Sequence, residues 1–168
     1  MKNLILARHA KSSWAVGALD DHERPLNDRG ERDAPKMGAA LAQRGNRPGA
    51  IVSSTAVRAL ATARVLAEAL GFPNEKIVAK PEIYLAEPRV LLREVQQFDE
   101  AEETVLLVGH NPGMHDFANL LAGGAVIESF PTLAVARLEL NVTYWGEVEP
   151  NSGLLLELLT PRILRNDS

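Results

Sequence analysis

Three short, unbroken apolar runs constrain this chain more than any other feature. Leu4-Ile5-Leu6-Ala7, Ala50-Ile51-Val52 and Thr104-Val105-Leu106-Leu107-Val108 lack the alternation of a half-exposed strand. Such runs predict strands buried on both faces, and those belong to parallel sheets covered by helices on each side. The intervening stretches fit. Asp28-x-x-Glu31 reads as a capping box that opens a helix with Ala34, Met37 and Leu41 on one face. Pro35 conflicts with a regular helix and predicts a kink, or a start nearer Asp33. Gly45 and the turn Asn46-Arg47-Pro48-Gly49 close it. Ser53, Ser54 or Thr55 can cap a second helix that stops at Gly71. Further on, 76–79 reads as a strand, 87–98 and 112–121 as helices, and 133–140 and 154–158 as two last strands. Residues 161–168 read as a frayed tail. The expected class is α/β: a three-layer α-β-α sandwich with a mostly parallel central sheet, one domain over 1–168.

Composition narrows the partners. The chain has 168 residues, no cysteine and a net charge of −4. It is long enough for a core without disulfides, and it offers no thiol nucleophile. The charge argues against general affinity for nucleic acid or anionic membrane. The N-terminal apolar run is too short for a signal peptide, and no run approaches a membrane span, so a cytoplasmic location is expected.

In open α/β sheets ligands bind beyond the carboxyl ends of the strands. Three predicted strand ends carry reactive side chains. The first gives Arg8-His9, the second Ser53-Ser54-Thr55 with Arg58 one turn into the helix, and the third His110-Asn111-Pro112. Two arginines in one pocket imply a dianionic oxyanion, because their planar forks match phosphate oxygens. Helix starts near Arg58 and Pro112 add backbone N–H groups, with Asn111 suited to the cap and Pro112 to the first helical position. A histidine there can attack phosphorus if one ring nitrogen is pinned as a donor and the other is free. Neighbouring arginines would lower its pKa. Each element alone has a plain structural explanation; their convergence at one sheet edge does not.

These residues resemble the histidine phosphatase superfamily, the phosphoglycerate mutase-like proteins, and within it the SixA-type phosphohistidine phosphatases. The resemblance lies in Arg8-His9-Ala10-Lys11-Ser12-Ser13-Trp14, in Asp21-His22-Glu23-Arg24-Pro25-Leu26-Asn27-Asp28-Arg29-Gly30, in 52–63 and in Val108-Gly109-His110-Asn111-Pro112-Gly113. Alanine at position 10 replaces the glycine of the superfamily signature, a variant this subgroup shows. The resemblance implies a phosphoglycerate mutase-like fold, a nucleophile at His9, phosphate-binding arginines at Arg8 and Arg58, and a second histidine at His110. Ser12 and Asn111 join the expected phosphate-binding set. The reaction it implies is removal of phosphate from a protein phosphohistidine through phospho-His9, without metal or other cofactor. The partner would then be a phosphohistidine-bearing protein, such as a histidine-phosphotransfer domain.

Ester hydrolysis benefits from a carboxylic acid that protonates the leaving oxygen. Asp20, Asp21, Glu23, Glu82 and Glu87 are candidates, and none stands out. A phosphoramidate needs less help, because its leaving nitrogen takes a proton readily. Two other readings stay open: a phosphatase of small phosphate esters, and a non-catalytic phospho-ligand module. His22 and His115 are read as structural, since His110 and His115 are five apart and do not share a helical face for a metal. Asn141-Val142-Thr143 is a chance sequon, Gly123-Gly124 a helix terminator, and Trp14 and Trp145 fit either core or rim.

Overall fold

The computed structural model describes residues 1–14, 17 and 19–167. Among them, six strands form one sheet: β1 (Lys2–Arg8), β2 (Ala50–Ser54), β3 (Val78–Lys80), β4 (Thr104–Gly109), β5 (Val135–Leu140) and β6 (Gly153–Leu159). Their order is β3-β2-β4-β1-β5-β6. The first four of that order are parallel, and β5 runs antiparallel to both β1 and β6. The helices are α1 (Asp28–Gln43), α2 (Val57–Leu70), α3 (Pro88–Gln96), α4 (Gly113–Ala122) and α5 (Pro161–Asn166).

Side chains of the central strands alternate between the faces, as strand geometry requires. Leu4 and Leu6 of β1, with Val105 and Leu107 of β4, pack against Leu91, Val95, Met114, Phe117 and Trp145 on the side of α3 and α4. Ile5 and Ala7, with Leu106 and Val108, pack against Met37, Leu41, Ala63 and Leu66 on the side of α1 and α2. Both faces of the sheet are therefore core, which explains the unbroken apolar runs. A leucine such as Leu6, fully buried between layers, contributes roughly 2 kcal/mol of transfer free energy. The result is the expected three-layer sandwich.

Strand register positions the site. In the parallel pair β1–β4, Arg8 lies opposite Gly109. His9 and His110 therefore leave the sheet side by side. The exit of β1 is fixed on both flanks: His9 N donates to Gly109 O at 3.0 Å, and Leu133 N donates to His9 O at 2.9 Å.

Several local expectations need correction. The cap of α1 is Asn27, not Asp28, and its side chain accepts from Gly30 N at 2.9 Å. The helix runs unbroken through Pro35. Pro35 and Glu31 both lie on the exposed side of the helix, away from the core. No side chain caps α2, because Ser54 Oγ accepts from Ala56 N at 3.1 Å and turns to the site instead. The cap of α4 is Pro112 rather than Asn111. The third strand begins two residues later than expected, after a 3-10 turn at Asn74–Lys76. β5 starts only at Val135, since Leu133 takes a left-handed φ of 59°. The expected frayed tail is helical over Pro161–Asn166. Thr160 caps it by accepting from Ile163 N at 3.1 Å, Pro161 opens it, and Leu164 packs on the core beside α1 and α2. Gly71 and Gly123 end α2 and α4 in left-handed conformation, as glycine allows.

Candidate active site

The site is built at the carboxyl edge of β1, β2 and β4. His9 is buried at the end of β1, and its Nδ1 lies 2.7 Å from the carbonyl of Ala10. A carbonyl only accepts, so Nδ1 carries the proton. The guanidinium of Arg58, which only donates, faces Nε2 with its Nε at 3.4 Å. Both contacts fix the same tautomer, with the lone pair on Nε2. Ala10 is itself held, its N–H donating to Thr62 Oγ1 at 2.9 Å, and Thr62 Oγ1 donates to Arg58 O at 2.8 Å. One threonine thus ties the segment carrying the histidine to the helix carrying the arginine.

His110, at the end of β4, is buried with its ring centroid 5.2 Å from that of His9. Its Nε2 lies 2.8 Å from Ser54 Oγ at the end of β2. Ser54 Oγ already accepts from Ala56 N, so its own proton is available to His110 Nε2. Among the described residues, two buried side-chain nitrogens have no hydrogen-bond partner, Arg8 Nε and His110 Nδ1. Both belong to this site, and buried polar atoms of that kind call for a ligand oxygen.

The electrostatics follow from burial and clustered cations. Burial and the charges of Arg58, Arg8 and Arg24 lower the His9 imidazole to about 4, against the opposing pull of the Ala10 carbonyl. Burial, with His9, Arg58 and Arg8 nearby, lowers His110 to about 3. Arg8 is also lowered, by burial and by Arg58. Repulsion by arginines was the expected cause for His9; burial is the larger one.

The sequence-derived set is placed as follows. His9, Arg58 and His110 are in mutual contact or one residue removed, and Arg8 lies beside them with Nη1 on Phe130 O at 3.3 Å. Asn111 has both ends of its amide on backbone: Nδ2 donates to Phe130 O at 2.7 Å and Oδ1 accepts from His115 N at 3.3 Å. Ser12 Oγ accepts from Arg24 Nη1 at 2.8 Å. Of the carboxylates, only Asp21 enters the cluster. Asp20, Glu23, Glu82 and Glu87 are exposed.

Asp21 is the hub that sequence reasoning did not single out. Its Oδ2 accepts from Arg58 Nη2 at 2.9 Å and from Tyr84 Oη at 2.5 Å, and its Oδ1 from Arg24 Nε at 3.1 Å. The Tyr84 bond, with those of Arg58 and Arg24, holds the Asp21 carboxyl well below the usual carboxylate range. Burial and the bond to Asp21 push the Tyr84 hydroxyl up. Tyr84 meets His110 edge-on at 5.4 Å and His22 at 4.9 Å. Arg24 lies 3.4 Å from the centre of the exposed Trp14 ring, which makes Trp14 a rim residue, whereas Trp145 is fully buried. The only local signal for this network was the acid–base spacing of Asp21 and Arg24. His22 bonds Thr55 Oγ1 and Glu23, and His115 bonds Ile127 O. Among the described residues no group of three or more His, Asp or Glu is arranged around a metal-ion position, and no helix is long and apolar enough to cross a membrane.

Comparison with known proteins identifies the family and the fold. Residues 4–87 match the histidine phosphatase superfamily, branch 1. An uncharacterised protein of Mycobacterium tuberculosis is 34% identical over 167 residues, 92% of this chain and 99% of its own. An uncharacterised chloroplastic protein of Arabidopsis thaliana is 31% identical over 160 residues, covering 90% of this chain and 72% of that one. A crystal structure of a candidate phosphohistidine phosphatase SixA from Agrobacterium tumefaciens is 31% identical, with a TM-score of 0.81 over 95% of this chain and 98% of that one. The protein histidine phosphatase SixA complexed with tungstate shares the fold at a TM-score of 0.82 over 96% of this chain and 99% of that one, with 21% identity. The fold is phosphoglycerate mutase-like, and the chain belongs to branch 1 of the histidine phosphatase superfamily.

Proposed function

We propose that this chain is a phosphohistidine phosphatase that works through a covalent phospho-His9. The observation that carries this reading is the locked tautomer of His9, with Nδ1–H on the Ala10 carbonyl and the Nε2 lone pair inside a ring of cations. Binding alone would not require a free imidazole nitrogen. In the first step Nε2 forms a bond to phosphorus and the bond from phosphorus to the leaving nitrogen breaks. The leaving imidazole takes its proton from solvent. As the His9 ring gains positive charge, its Nδ1–H bond to Ala10 O strengthens. In the second step water attacks phosphorus, the P–Nε2 bond breaks, and inorganic phosphate leaves with the water oxygen. Arg8, Arg58 and His110 hold the phosphoryl oxygens throughout, so catalysis is chiefly positioning and charge stabilisation.

The state of Asp21 supports a nitrogen leaving group. A carboxylate paired with both Nε and Nη2 of Arg24, and in the free site also with Arg58 and Tyr84, is ionised and has no proton to give. An alkoxide would need that proton; an imidazole does not. Trp14, 74% exposed beside Arg24, gives the rim an open apolar surface suited to a protein-sized substrate such as a histidine-phosphotransfer domain. The test is a side-by-side assay on a phosphohistidine protein and a panel of phosphate esters, with and without chelator. Faster turnover of the phosphohistidine protein, unchanged by chelator, is expected. Faster turnover of the esters would assign the site to small-molecule monoesters. His9→Ala should abolish turnover while still binding vanadate; full activity in that variant would remove His9 as nucleophile.

A further inference from the structure

Arg58 already holds a carboxylate of its own chain. Its Nη1 donates to the Asp21 carbonyl at 2.6 Å and its Nη2 to Asp21 Oδ2 at 2.9 Å, while Nε faces His9 Nε2. Nε and Nη2 share one edge of the planar guanidinium, the edge that grips a phosphoryl group side-on. Asp21 Oδ2 therefore occupies Nη2, one of the two donors of that edge, while the other donor, Nε, faces the nucleophilic nitrogen. The same oxygen accepts the Tyr84 hydroxyl, whose ring lies against His110. The two unpartnered nitrogens, Arg8 Nε and His110 Nδ1, belong to the same cluster.

We propose that Asp21 is an internal stand-in for the ligand and that Tyr84 is a further phosphoryl-binding residue. A phosphoryl dianion displaces Asp21 Oδ2 and takes over both of its donors, Arg58 Nη2 and Tyr84 Oη. The displaced carboxylate stays paired, because Oδ1 remains on Arg24 Nε and Nη2. Only protein–carboxylate bonds are exchanged for protein–phosphoryl bonds, and no covalent bond changes. The exchange also sets a charge requirement. The incoming group must replace an ionised carboxylate, so dianionic monoesters and phosphoramidates are favoured over monoanionic diesters. The inference rests on the reading of this cluster as a phosphoryl site.

The test is calorimetric binding of tungstate, a tetrahedral dianion shaped like phosphate. The proteins compared are wild type, Asp21→Ala, Asp21→Asn, Tyr84→Phe and the double variant Asp21→Ala/Tyr84→Phe. Asp21→Ala should bind at least about 10-fold more tightly than wild type, and Asp21→Asn should also bind more tightly. In the Asp21→Ala background, Tyr84→Phe should weaken binding about 10-fold, as expected for loss of a hydrogen bond to a charged group. Asp21→Asn carries the same test if the alanine variant does not fold. Weaker binding by both Asp21 variants would mean that Asp21 merely holds Arg58 in place. No effect of Tyr84→Phe in the alanine background would show that Tyr84 does not reach the ligand. Either result overturns the exchange alone; a wild-type protein that binds no tungstate would instead overturn the phosphoryl-site reading.

Discussion

The two buried histidines should make this protein lose stability in mild acid, by an amount the site geometry sets. In the folded chain His9 is lowered from 6.5 to about 4 and His110 from 6.5 to about 3, in each case first by burial. The unfolded chain takes up both protons near the ordinary value. Above pH 6.5 both states are neutral and nothing is lost. As the pH falls below 6.5 only the unfolded state binds protons, so stability declines until the folded pKa is reached. Between pH 7 and pH 5 each ring contributes a loss of about 2 kcal/mol. Both rings are still neutral at pH 5 in the folded protein, so their coupling across 5.2 Å does not alter this figure. The assay is urea denaturation at pH 7 and pH 5 for wild type, His9→Asn and His110→Asn. Comparing pH differences between proteins cancels the contribution of the carboxylates. Each variant should lose about 2 kcal/mol less than wild type over that interval. Equal losses in all three proteins would refute the argument that these imidazoles are held neutral by burial. The same shift keeps the His9 lone pair available at pH 5.

Other perturbations test single contacts. Ser54→Ala removes the partner of both Ala56 N and His110 Nε2, and should cost about 2 kcal/mol in urea denaturation while lowering turnover. Gly30→Ala would place a methyl group against the Lys11 carbonyl oxygen, in the segment that carries Ser12. It should destabilise the protein by about 1–3 kcal/mol and weaken tungstate binding, both measurable on one preparation. Thr160→Ala removes the cap of α5 and should cost about 1 kcal/mol with turnover unchanged.

The parts of the fold legible in the sequence were those encoded locally. The runs at 4–7, 50–52 and 105–108 are apolar throughout because helices cover both faces of their strands. His9, Arg58 and His110 could be brought together because parallel strands align their carboxyl ends. β3 was harder to place: it is an edge strand with Val78 and Ala79 exposed, so burial imposes no pattern on it. Asn27 and Asp28 are both good caps, and only the backbone bond from Gly30 decides between them. The Asp21 network was out of reach, since Tyr84 and Arg58 lie 63 and 37 residues away and neither carries a local sign of the meeting. The helix at Pro161–Asn166 had its Thr-Pro start in view, but six residues are too few to show periodicity.

The pairing of Arg8 with Gly109 has a consequence for how this architecture can diversify. The spacing of the two imidazoles is inherited from the rungs between β1 and β4, the same rungs that align Leu6 with Leu107 in the core. A slip of one residue would separate the rings and exchange the faces of one strand relative to the other, moving Leu6 into the wrong layer, so the site and the core are under one constraint. Asp21, Arg24, Tyr84 and Trp14 hang from connecting segments instead, outside that ladder. Those segments can be rewritten, and the surroundings of the cluster with them, while the two imidazoles stay where the sheet holds them.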